Sequence, residues 1–172
     1  MTALETYDLC QSTMLPPIKL VDEMGEQMWA LLQRNLTGIT EAEADWRPHP
    51  AANNVRWIVG HLAWFEEWAH DALRQEGRFL VDRDPQAYLD GTMPELIARF
   101  AAARTRYRTR LAELDEKDLA RQLSYFGRYD VSGLVLLGTH ATHLAGHRFQ
   151  VRYVRGTYSR AHGTNKADFD PW

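Results

Sequence analysis

Cysteine is almost missing: Cys10 is the only one in 172 residues. A single cysteine excludes an internal disulfide framework and fits a reducing compartment. Long apolar runs are missing too. No stretch approaches the roughly 18 apolar residues of a membrane-spanning helix, and no basic start, apolar core and small-residue cleavage site follow one another at the N-terminus. Positive charge is not in excess, since 20 Lys and Arg face 23 Asp and Glu for a net charge of −3. That balance leaves no basic field for nucleic acid. There is no internal repeat. The expectation is a cytoplasmic protein without a nucleic-acid or membrane partner.

What is present is the composition of an ordinary globular protein, 45% apolar and 25% charged. One domain over 1–172 is expected, with its core at about 17–156 and a polar C-terminal arm at 157–172. A chain of this length buries a core without disulfide or metal staples, so a metal here would serve function rather than folding.

Four stretches carry apolar residues at alternating steps of four and three, which predicts an all-α four-helix bundle with long polar connections. The helices are expected near 17–35, 55–74, 93–114 and 132–155. The first follows Pro16 and Pro17 and carries Leu20 or Val21, Met24, Met28, Leu31 and Leu32, with Asp22, Glu23, Glu26 and Gln27 on the other side. Thr40 with Glu43 forms a capping box for a short turn, and Asn53 or Asn54 caps the second long helix. That helix has Ile58, His61, Phe65, Trp68 and Ala72 on one face. Thr92 with Glu95 opens the third, whose stripe is Leu96, Phe100, Ala103, Tyr107, Leu111 and Leu114. Its arginines, Arg99, Arg104, Arg106, Arg108 and Arg110, read as a solvated face. A scrap of strand, turn and strand is expected around Gly127. Asp130 or Ser132 starts the fourth helix and Gly156 is expected to end it, after Arg152 and Arg155.

The fourth helix poses the chemical question. Leu136, His140, His143, His147, Gln150 and Val154 share one face, where aliphatic side chains are the rule and imidazoles need a reason to sit. His143 and His147 lie one turn apart, close enough to share an ion, but two histidines do not complete a site. His61 is the histidine on another long helix's inward stripe. If the second and fourth helices are neighbours, His61, His143 and His147 meet at one level and leave a position open for water or an anionic ligand such as a thiolate. His140 lies a further turn away and is expected outside the ligand set, because about 10 Å of helix separates it from His147. His49, His70 and His162 fall outside the stripes and read as surface residues. Glu66 and Glu67 point away from the His61 face, so neither is assigned as a base, and no catalytic residue is named.

The segments VRWIVGHLAWFEEW and HLAGHRFQVRYVRG, with the run WRPHPAANNVRWIVGHL leading into the first of them, resemble the DinB/YfiT-like family of four-helix-bundle proteins. The resemblance covers about 17–156, and Phe149 stands where that family often has glycine. It implies a divalent ion on His61, His143 and His147, and a homodimer; the ion expected is zinc or nickel. It also implies a metal-dependent hydrolase or a low-molecular-weight thiol transferase acting on a small molecule such as a thiol. The aromatic load of the second helix, Trp57, Trp64 and Trp68, supports the dimer, because one core hardly buries all three. The alternative is a metal-binding bundle without catalysis, a sensor or stress-related scaffold.

Overall fold

The computed structural model describes residues 14–74 and 85–164; Cys10 and the end of the polar arm lie outside them. Four long helices dominate: α1 (Pro16–Leu36), α3 (Val55–Arg74), α4 (Met93–Leu111) and α6 (Gly133–His162). Short helices α2 (Glu41–Asp45) and α5 (Glu116–Ala120), a 3₁₀ turn (Pro85–Tyr88) and a hairpin of β1 (Gln122–Tyr125) and β2 (Tyr129–Ser132) fill the connections.

The starts follow local chemistry. Asn54 accepts the Trp57 N–H at 2.9 Å and Ser132 accepts the Val135 N–H at 3.3 Å, each relieving a first-turn donor that the helix leaves without a partner. Glu95 reaches back to the Thr92 N–H at 2.7 Å and completes the capping box. In the hairpin, Phe126 and Gly127 both take positive φ, 53° and 65°, and the Arg128 N–H donates to the Tyr125 carbonyl at 3.1 Å. Three residues, Phe126, Gly127 and Arg128, thus join the paired Tyr125 and Tyr129 in a short hairpin loop, where Gly127 takes the left-handed backbone at no steric cost.

The contacts order the bundle as a ring in which α1 packs on α4 and α6, and α3 packs on α4 and α6. Asp22 meets Arg108 and Glu26 meets Arg104, so α1 and α4 are antiparallel. Trp57 faces His147 and Phe65 faces His140, so α3 and α6 are antiparallel as well. The apolar core falls into two clusters. One holds Leu32, Ile58, Leu62, Phe100, Leu144 and Val151; the other holds Ile18, Phe65, Trp68, Tyr107, Leu136 and Leu137. No described helix is long and apolar enough to cross a membrane.

Three sequence expectations are corrected. The buried face of α1 is Ile18, Asp22, Gly25, Leu32 and Leu36, whereas Leu20 and Met24 are exposed. The arginine ridge of α4 turns α1 this way. Arg104 is buried and bonds Glu26 and Glu66, and Arg108 grips Asp22 through two bonds of 2.7 and 2.8 Å. These two arginines are therefore not solvated. A Cβ on Gly25 would stand 2.8 Å from an Arg104 nitrogen, so glycine makes room for the guanidinium. Finally, α6 does not stop at Gly156 but runs to His162 and ends at Gly163, whose φ of 64° is the left-handed cap. The extra turns are held by burial of Arg155 and Ser159. Arg155 pairs with Glu43 on α2 at 2.7 and 2.9 Å and also donates to the Asn35 and Thr37 carbonyls.

Candidate metal centre

His61 stands in the second turn of α3, and His143 and His147 stand in the middle of α6. The antiparallel packing of these helices brings the three rings together. His143 Nε2 lies 3.0 Å from His61 Nε2 and 3.0 Å from His147 Nε2. One ligating nitrogen from each of the three falls within 4.8 Å of the others. A donor set of three neutral imidazoles suits a divalent ion of the zinc type. With bonds of about 2.0–2.1 Å, neighbouring nitrogens around such an ion stand roughly 3 Å apart, so the observed spacing fits.

The electrostatics favour the unprotonated form. Burial lowers His61 to about 4, with His147 adding to the shift. Burial also lowers His143 to about 3, helped by His147, His61 and His140. Burial lowers His147 too, against the opposing effect of its bond to Gln150. Close cations repel, and a half-buried imidazolium is poorly solvated, so at neutral pH all three rings carry a free lone pair.

Aromatic rings hold the imidazoles in place. Trp57 stacks on His61 at 4.7 Å and 9°, and Phe65 stacks on His143 at 4.0 Å and 30°. Trp64 lies 5.8 Å from His61 and stacks on Phe126 of the hairpin tip, which itself stacks on Trp68. A close approach fixes the level of α3: a Cβ on Gly60 would meet Leu89 Cδ2 and the Tyr88 carbonyl oxygen, both at 2.6 Å. The helix therefore lies against the segment after the 3₁₀ turn only because residue 60 has no side chain.

His140 is placed elsewhere. It is 3% exposed, stacks on Tyr107 at 4.0 Å and sets its Nε2 2.9 Å from Glu66 Oε2. Glu66 also accepts from Arg104, which accepts nothing and needs the carboxylate to offset its charge. Burial alone would raise the Glu66 carboxyl, but His140 and Arg104 overcome it and hold the group below its ordinary value. Glu67 accepts from Tyr88 and Arg106. Both glutamates are thus engaged away from the three imidazoles.

His49 is exposed and accepts the Ala51 N–H; His162 is exposed at the end of α6, stacked on Tyr158. His70 is half-buried rather than a plain surface residue, and pairs with Asp71 at 2.9 Å. Sequence reasoning left Gln150 without a role, yet its Oε1 lies 2.8 Å from His147 Nδ1. The i, i+3 spacing on one helix face was the signal that could have found it.

Comparison with known proteins agrees with this architecture. The DinB superfamily matches residues 24–151. The fold is similar to TT2238, described as a four-helix bundle protein, at 18% identity and a TM-score of 0.63, over 79% of this chain and 98% of that one. It is also similar to a conserved protein from Enterococcus faecalis at 16% identity and a TM-score of 0.64, over 81% of this chain and 95% of that one. A search of curated proteins returned no match.

Proposed function

The chain belongs to the DinB superfamily, and we propose that it is a metal-dependent enzyme holding one divalent ion, zinc or nickel, on His61, His143 and His147. The reaction we assign is hydrolysis or transfer of a low-molecular-weight thiol, in the cytoplasm, on a small-molecule substrate. The observation that carries the reading is the convergence of His61 Nε2 and His147 Nε2 on His143 Nε2, each at 3.0 Å. A divalent cation there would supply a Lewis acid for an acceptor oxygen, or stabilise a thiolate.

The chain's own residues prepare that chemistry. Burial keeps His61 and His143 unprotonated, so their lone pairs are available at neutral pH. Trp57 covers one face of the His61 ring and Phe65 covers one face of His143, which restricts both rings and keeps water from those faces. Gly60 seats α3, and so sets the height of His61 against α6.

The second reading, a metal-binding bundle that acts as sensor or scaffold, is favoured by one observation. Glu66 and Glu67, the carboxylates nearest His61 in α3, are both committed to other partners and offer no free base. Screens for ester or amide hydrolysis and for thiol transfer, run on metal-loaded and metal-stripped protein, separate the two. Turnover that needs metal and disappears in His61→Ala supports the enzyme; binding of metal with no turnover in any screen supports the sensor or scaffold.

A further inference from the structure

An imidazole that ligates through Nε2 carries its proton on Nδ1, and something should receive that proton. At His147 the receiver is present: Nδ1 lies 2.8 Å from Gln150 Oε1, three residues on along the same helix. At His143 it is not, since Nδ1 is buried and has no hydrogen-bond partner among the described residues. His143 is oriented instead by its stack with Phe65.

We infer that Gln150 is a positioning residue for the ion, holding His147 in the tautomer whose Nε2 lone pair faces His61 and His143. The inference rests on the three-histidine reading above and adds a residue to it. The physical step is short. A neutral imidazole has one proton; if it sits on Nε2, that N–H points at His143 Nε2, 3.0 Å away, and the nitrogen has no lone pair to give. The Gln150 carbonyl oxygen draws the proton to Nδ1 and leaves Nε2 free. It also raises the electron density of the ring, which strengthens the nitrogen as a ligand. Glutamine does this imperfectly, because its amide can turn and present NH₂ to Nδ1, which favours the wrong tautomer. A carboxylate at the same place has only acceptors and enforces the ligating form.

The surroundings make the residue testable. Gln150 is exposed and borders a cavity of about 200 Å³ that Asn53, Ile58 and Tyr153 also line. Its side chain is not packed in the core, so substitution leaves the bundle intact.

The experiment is zinc affinity of the full chain without a histidine tag, measured by competition with a chelator for wild type, Gln150→Leu and Gln150→Glu. Gln150→Leu is expected to weaken zinc binding by about tenfold or more, with the melting temperature of the metal-free protein unchanged. Gln150→Glu is expected to bind at least as tightly as wild type. Nitrogen-15 spectra of metal-free wild type should show His147 protonated on Nδ1, and Gln150→Leu should lose that preference. Equal zinc affinity in Gln150→Leu and wild type, or a loss in Gln150→Glu as large as in Gln150→Leu, overturns the inference. A wild-type chain that binds no zinc or nickel overturns the three-histidine reading instead, and the nitrogen-15 spectra still decide what Gln150 does to His147.

Discussion

His140 Nε2 stands 2.9 Å from Glu66 Oε2, so the histidine one turn before His143 is bound to a carboxylate on the facing helix and not to the three-imidazole group. The same carboxylate receives Arg104, which ties α3, α4 and α6 together inside the bundle. A buried pair of this kind is costly to break, because each partner left alone is a charge or a polar ring without solvent.

Glu66→Gln is therefore expected to destabilise the protein by about 3 kcal/mol at neutral pH, with metal content retained. The pH dependence has a definite sign. The folded carboxyl lies below its ordinary value of 4.5, so its contribution is full above that value and is lost as pH falls through the lower, folded one. Melting curves of wild type and Glu66→Gln should stay separated from pH 7 down to about 5 and converge in more acid solution. Equal stability at pH 7 would contradict the role given to Glu66.

Gly60→Ala should lower the melting temperature, because the added methyl meets the Tyr88 carbonyl oxygen and Leu89 at 2.6 Å and one of them must move. A cost of about 1–3 kcal/mol is expected, the range for overpacking. Since residue 60 adjoins His61, zinc affinity should fall as well. Unchanged melting and affinity would show that α3 is not held at this level by the contact.

A homodimer remains our proposal, and the structure alters its grounds. Trp68 is buried within one chain and Trp57 and Trp64 are half-buried there, so the aromatic load of α3 no longer demands a partner. Phe149 and Tyr153 on α6 are more than half exposed, at 55% and 64%, one turn apart. Light scattering at micromolar concentration should give twice the 19.9 kDa chain mass; a monomer at that concentration ends the proposal.

Three of the four long helices were legible in the sequence because periodicity and caps agree: Thr92 with Glu95, Asn54 before Val55, Ser132 before Gly133. The first was legible from its prolines and its helical period, though not with the face it buries. The juxtaposition of His61 with His143 and His147 was legible from the same stripes. What stayed hidden has one physical cause. Periodicity sorts residues by polarity, and Asp22, Glu66 and Arg104 are polar yet buried, because each meets its partner on another helix. A pair of charges that cancels across two helices leaves no trace in either helix alone. The end of α6 was misread for a related reason, since Arg155 looked like a cation at a helix end and is in fact buried against Glu43. The face of α6 was legible only in part: Leu136, His140 and Val154 are buried as expected, but Leu137, Leu144, Arg148 and Val151 are buried beside them, while His143 and His147 are half-buried and turned toward α3 and Gln150 is exposed.

Elemental analysis of the full chain purified without a histidine tag, with His61→Ala, His143→Ala, His147→Ala and His140→Ala alongside, tests the central claim most directly. The expected result is one divalent ion per chain in wild type and in His140→Ala, and none in the other three. Stoichiometric metal in His61→Ala together with its loss in His140→Ala would contradict the account.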